Sequence, residues 1–223
     1  MTSIRKEPLA NDCYYHIFTR SISKYIVFNG LEEYWRIIKL LQLYRHVNFD
    51  HKYSYFSSLT PESQEVLIAS IELERNYLVE IVSYCVMPTH IHLLLKQTAD
   101  SGISRFINRV LNGYSRYFNA KHHRIGPLWS GRFKSVRVSS DEQLLHLTRY
   151  IHLNPSSAGL VLNPEDWIFS SYHEYIGAEK TFCDHDKLID LPPDEYKKFV
   201  MDRKSYQKNL SMIKALLIDE YTG

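Results

Sequence analysis

The period of the apolar positions changes along this chain, and each change marks an element. Cys13–Ser21 (CYYHIFTRS) concentrates aromatic and β-branched residues and predicts a first strand. Beyond Asn29-Gly30, Leu31, Tyr34, Trp35, Ile38, Leu41 and Leu43 or Tyr44 recur at helical spacing as far as Val47. Residues 48–62 are polar and turn-rich, and predict a loop or a poorly ordered insertion. A second helix is expected from Pro61 to about Glu74, with Thr60 as its N-cap. Tyr77–Met87 and Thr89–Lys96 read as two strands folded back on each other as a hairpin. From Ser101 or Gly102 through Phe118 a helix is predicted, its apolar stripe made by Ile103, Phe106, Ile107, Val110, Leu111 and Tyr114.

His122–Gly131 is bracketed by polar and glycine residues as a loop, and Phe133–Val138 alternates as a strand. Ser139-Ser140-Asp141-Glu142 supplies an N-cap and first-turn acids to a helix that Asn154-Pro155 should stop after Leu153. The order strand, helix, strand, strand, helix, strand, with a helix appended, is that of a ferredoxin-like βαββαβ sandwich, an α+β fold. In it an antiparallel sheet carries helices on one face. After Gly177 the chain changes character. Residues 192–219 predict a long helix or helix pair with Tyr196, Phe199, Val200, Leu210, Ile213, Leu216 and Leu217 on its apolar side. The organisation expected is one domain over 1–177 and a C-terminal helical extension over 178–223.

The length of 223 residues suits one sizeable core, and 44% hydrophobic with 23% charged residues is ordinary for a soluble globular protein. No apolar run approaches the roughly 20 residues that span a bilayer. The N-terminal MTSIRKEPLAND has no apolar core, so no signal peptide is expected. Cys13, Cys85 and Cys183 are odd in number and far apart, which excludes a disulfide framework and places the expectation in a reducing cytoplasm.

Net charge is +2, but it is unevenly spread. Between Ser101 and Ser140 stand Arg105, Arg109, Arg116, Lys121, Arg124, Arg132, Lys134 and Arg137 with no Asp or Glu, so this segment carries +8 and the rest of the chain −6. Tyr114, Tyr117, Phe118, Trp129 and Phe133 are interleaved with these cations. Cations for phosphates and flat rings for unstacked bases are what single-stranded nucleic acid needs.

The candidate chemistry lies in Tyr84–Lys96, YCVMPTHIHLLLK. On a strand over 90–96, His90 and His92 share one face while Ile91, Leu93 and Leu95 share the other. Two adjacent imidazoles suit a divalent metal that keeps open positions. On the 140–153 helix, His146, Tyr150 and Asn154 follow at i, i+4 and i+8, tending toward one side. Asn154, at the expected helix end, offers an amide oxygen to a metal, and the Tyr150 phenol can attack a phosphodiester. Among seventeen tyrosines, the pattern alone leaves Tyr114 and Tyr117 as rivals to Tyr150.

The chain resembles the single-tyrosine HUH transposases of bacterial insertion sequences, and most closely their REP-associated relatives. The residues that carry this are MPTHIHLLLK (87–96), ISRFINRVLNGYSRYFNAKH (103–122), GPLWSGRFKSVRV (126–138), LTRYIHLNPSSAGLV (147–161) and WIFSSYHEYIG (167–177). The resemblance implies a ferredoxin-like nuclease domain in which His90 and His92 hold Mg²⁺ or Mn²⁺. It implies Tyr150 as the nucleophile and Asn154 as third ligand, where many insertion-sequence members carry Gln. The implied activity nicks and rejoins hairpin-containing single-stranded DNA through a 5′-phosphotyrosine link, in a monomer or a homodimer. Arg105, Arg109, Arg116, Arg132, Lys134 and Arg137 are the phosphate-contact candidates. Trp129 is the stacking candidate, or else a buried pin for its loop.

Three other readings compete: a domesticated protein that binds a DNA or RNA hairpin without cutting it, a metal-dependent phosphoesterase using water, and a zinc-binding structural protein on His90, His92, Cys183 and His185.

Overall fold

A computed structural model describes residues 8–179, 182–185, 190–202 and 206. Its strands are β1 (Tyr14–Arg20), β2 (Val79–Met87), β3 (His90–Gln97) and β4 (Lys134–Val138). Its helices are α1 (Leu31–Tyr44), α2 (Tyr53–Ser58), α3 (Pro61–Leu73), α4 (Gly102–Lys121), α5 (Asp141–Ser157), α6 (Tyr172–Tyr175) and α7 (Pro193–Met201). The strands form one four-stranded sheet in the order β2-β3-β1-β4, every neighbouring pair antiparallel. The chain is therefore α+β with the expected βαββαβ order.

Both faces of the sheet are covered. Tyr15, Ile17, Ile91, Leu93 and Leu95 pack with α1 and α4 in one core. Cys85, Met87, Leu94 and Val138 pack with Leu144, Leu147 and Ile151 of α5, and with Tyr196 and Val200 of α7, in a second. The expectation of helices on one face holds for α1 and α4. The other face carries its own apolar set, so it too had to be buried. Pairing slips between Ile81 and Ser83, a bulge that keeps Ile81, Tyr84 and Val86 in the first core and Val82, Cys85 and Met87 in the second.

Two expectations are corrected. Residues 48–62 are a packed segment rather than an open loop: α2 lies within it, Phe49 and Phe56 are buried in the first core, and Arg36 stacks on the Tyr53 ring. Polar composition concealed these anchors. Helix α5 does not stop at Leu153 but passes through buried Pro155. Its true end is a left-handed Gly159 at φ +70°, where Leu160 N–H donates to the Pro155 carbonyl and Gly159 N–H to that of Ser156.

The caps at Thr60 and Ser140 form as expected, each side chain accepting from the backbone N–H three residues on. In the extension, α7 docks on α5; Leu210, Ile213, Leu216 and Leu217 lie outside the described residues. Among the described residues, no helix is long and apolar enough to cross a membrane.

Candidate active site

The site sits where the β2–β3 hairpin turns, on the sheet face that α5 covers. Alternation on β3 sends His90 and His92 to this face. The register then adds neighbours that were not predicted: Arg20 pairs with His90, while Phe18 pairs with His92 on one side and Lys134 on the other. One face thus carries the two imidazoles with Arg20 and Lys134 beside them, and the Arg20 guanidinium lies 5.2 Å from the Phe18 ring centre.

The rings of His90 and His92 stand 5.0 Å apart and nearly perpendicular. His92 is fully buried and His90 half-buried. Each is engaged through Nδ1: Thr89 Oγ1 lies 2.9 Å from that of His90, and Nε2 of buried His16 lies 3.1 Å from that of His92. Nε2 is therefore the atom each would offer a cation.

Tyr150 reaches His92 from α5. Its ring meets His92 edge-on at 5.7 Å and His16 at 6.1 Å. Asn154 stands one turn further and, because α5 continues, lies within the helix. Its amide NH₂ donates to the Tyr150 carbonyl at 2.9 Å, leaving Oδ1 as the acceptor it presents. His146 is turned elsewhere, onto Phe199 of α7 and the Arg149 guanidinium. Among the described residues no group of three His, Cys, Asp or Glu side chains is placed to hold a metal ion. The zinc grouping of His90, His92, Cys183 and His185 is accordingly not formed. The donors this face could offer a divalent ion are the two imidazole Nε2 atoms and, from α5, the Asn154 amide oxygen.

The rival tyrosines are committed to structure. Tyr114 is fully buried on the opposite side of the sheet, donates to the Val27 carbonyl, and has its phenol pKa driven up by burial. Tyr117 donates to Glu32, and burial together with that carboxylate raises its pKa to about 12.

The basic residues divide between the two faces. Lys134 belongs to the site's face, and Arg132, two residues before it, is exposed. Arg137 is exposed and donates to Cys13 Sγ. Arg105, Arg109 and Arg116 ride on α4, which covers the other face. Arg105 and Arg116 are exposed; Arg109 turns inward, over the Tyr44 ring and onto the Phe49 carbonyl. Trp129 pins its loop, with Nε1 donating to Ser115 Oγ at 3.0 Å and to the Leu111 carbonyl.

The site's helix is anchored from behind by polar contacts that the sequence pattern does not predict, since it places Tyr196 only on an apolar face. Fully buried His152 bonds Tyr196 Oη through Nδ1 and Ser171 Oγ through Nε2, both at 2.8 Å. Tyr196 in turn donates to Thr148, and Arg149 to the Phe199 carbonyl. Burial lowers the His152 pKa to about 3, so the imidazole is neutral in the fold.

Comparison with known proteins points the same way. The model of the family described as "Transposase IS200 like" matches residues 39–154. A Haemophilus influenzae protein named "Putative REP-associated tyrosine transposase" is 31% identical over 133 residues, 55% of this chain and 76% of that protein. The REP-associated tyrosine transposase of Escherichia coli K12 is 27% identical over 117 residues, covering 52% and 67%. A solved structure of a REP-associated tyrosine transposase bound to a REP hairpin shares the fold, with a TM-score of 0.52 and 16% identity over 85% of this chain and 95% of that one.

Proposed function

Because the chain belongs to the family of IS200-like and REP-associated tyrosine transposases, we propose that it nicks and rejoins hairpin-bearing single-stranded DNA with Tyr150 as nucleophile. The observation that carries this reading is the edge-on contact of Tyr150 with His92, which puts the Tyr150 ring against one of the two candidate ligands on the face that also bears Lys134. His90, His92 and Asn154 would hold Mg²⁺ or Mn²⁺. Bound there, the ion supplies charge to the scissile phosphate as negative charge builds on its oxygens.

Tyr150 Oη attacks phosphorus in line, forming a P–Oη bond and breaking the bond to the 3′ oxygen. The phenol gives up its proton to solvent as it attacks, and the departing oxygen takes one from solvent to leave as a 3′-OH. The 5′-phosphotyrosine link keeps the phosphodiester's energy, so a second 3′-OH can displace Tyr150 and rejoin DNA without a nucleotide cofactor. Arg20 and Lys134 offer positive charge to the phosphates beside the cut. Arg105 and Arg116, on the far side, suit the more distant backbone of a folded hairpin.

The test is incubation with labelled hairpin oligonucleotides and Mg²⁺ or Mn²⁺, then denaturing electrophoresis. The reading expects a protein–DNA adduct that disappears in Tyr150→Phe. Cleavage that survives Tyr150→Phe would assign the attack to water.

A further inference from the structure

His16 is fully buried on β1 at a position where the strand's own alternation calls for an apolar residue, since its face-mate is Phe18 and its partner across the ladder is Leu94. A buried imidazole is costly unless its ring atoms are satisfied, so its presence asks for a reason. The ring lies along the diagonal to His92, nearly coplanar with it at 17° and 5.3 Å between centres, with its Nε2 3.1 Å from His92 Nδ1.

Resting on the metal reading above, we infer that His16 is a positioning residue that accepts the Nδ1–H of His92 and thereby fixes the tautomer whose Nε2 lone pair faces the cation. A metal-bound imidazole characteristically donates its other N–H to an orienting acceptor. Thr89 stands in the same relation to His90, so each ligand histidine is held at Nδ1 by one neighbour. The acceptor at His92 is another imidazole rather than a carboxylate. That acceptor adds no negative charge beside the ion. His16 also borders the Tyr150 ring at 6.1 Å, so the same side chain sets the wall against which the nucleophile rests.

Two measurements on the full chain test this. In the metal-free protein, nitrogen NMR of ¹⁵N-histidine-labelled material should find His92 as the Nδ1–H tautomer; finding it as the Nε2–H tautomer overturns the inference, whatever the variants do. Mn²⁺ affinity followed by electron paramagnetic resonance should fall about 10–100-fold in His16→Phe, which keeps a ring but no acceptor, and return to within about threefold in His16→Gln, whose amide oxygen can accept. Mn²⁺ binding abolished by His92→Ala but undiminished in His16→Phe overturns the positioning role alone. Mn²⁺ binding indifferent to His92→Ala overturns the metal reading and this inference with it.

Discussion

The ring of Tyr150 meets that of His92 edge-on, 5.7 Å between centres at an angle of 87°, although one comes from a helix and the other from a sheet strand. The contact exists because α5 lies across the face onto which alternation turns His90 and His92. What fastens α5 there, and what surrounds the contact, leads to specific expectations.

The division of basic residues between two faces predicts two phenotypes. Lys134→Ala, beside the site, should slow cleavage of bound DNA and change affinity little. Arg116→Ala, on α4, should weaken hairpin binding and lower the slope of log affinity against log salt by about 0.7–0.9, the loss of one phosphate contact. Single-turnover cleavage and salt-dependent binding measured on both variants separate the two.

Tyr196 links α7 to the site's helix by accepting from His152 and donating to Thr148. Tyr196→Phe removes both bonds, leaving the buried His152 Nδ1–H without its acceptor while Thr148 keeps its bond to the Leu145 carbonyl. It should cost about 1–3 kcal/mol, read as a lower urea midpoint at unchanged slope.

His152 makes stability depend on pH with a definite sign. Its folded pKa of about 3 lies below the ordinary imidazole value, so between about pH 6.5 and 3 the unfolded chain holds a proton that the folded one refuses. Its contribution is therefore intact above pH 6.5 and declines as pH falls through that window. Between pH 7 and pH 5.5 the wild type should lose about 1 kcal/mol more than His152→Gln does, in paired urea titrations.

Gly102 starts α4 against the backbone of the residue before β2. A Cβ there would come 2.0 Å from the Leu78 carbonyl oxygen, and backbone cannot swing aside as a side chain can. Gly102→Ala should destabilise by about 1–3 kcal/mol, seen as a depressed melting temperature.

Much of this architecture was legible because it is written in local periods. The alternation of HIHLLLK put His90 and His92 on one face, and the stripe of α4 and the caps at Thr60 and Ser140 needed only neighbouring residues. What escaped depends on partners far along the chain. His16 and Arg20 join the site only through the β1–β3 register, and YHIFTR alone says nothing of which strand lies beside it. Asn154-Pro155 looked like a stop, yet the Schellman end at Gly159 shows that a proline in the last turns is tolerated when it is buried and the carbonyls find other donors. The run of eight cations reads as one patch in sequence; folding sends α4 and β4 to different places and spends Arg109 on packing.

In the proposed reaction Tyr150 itself becomes joined to the 5′ end of the cut strand. Oligonucleotides labelled on one side of the cleavage point or the other, reacted with the protein and divalent metal and followed by peptide mass spectrometry, test it directly. Only the fragment 3′ to the cut should stay with the protein, as a phosphodiester adduct on the peptide containing Tyr150. An adduct on a different tyrosine, or complete cleavage with no adduct at any time point, would contradict it.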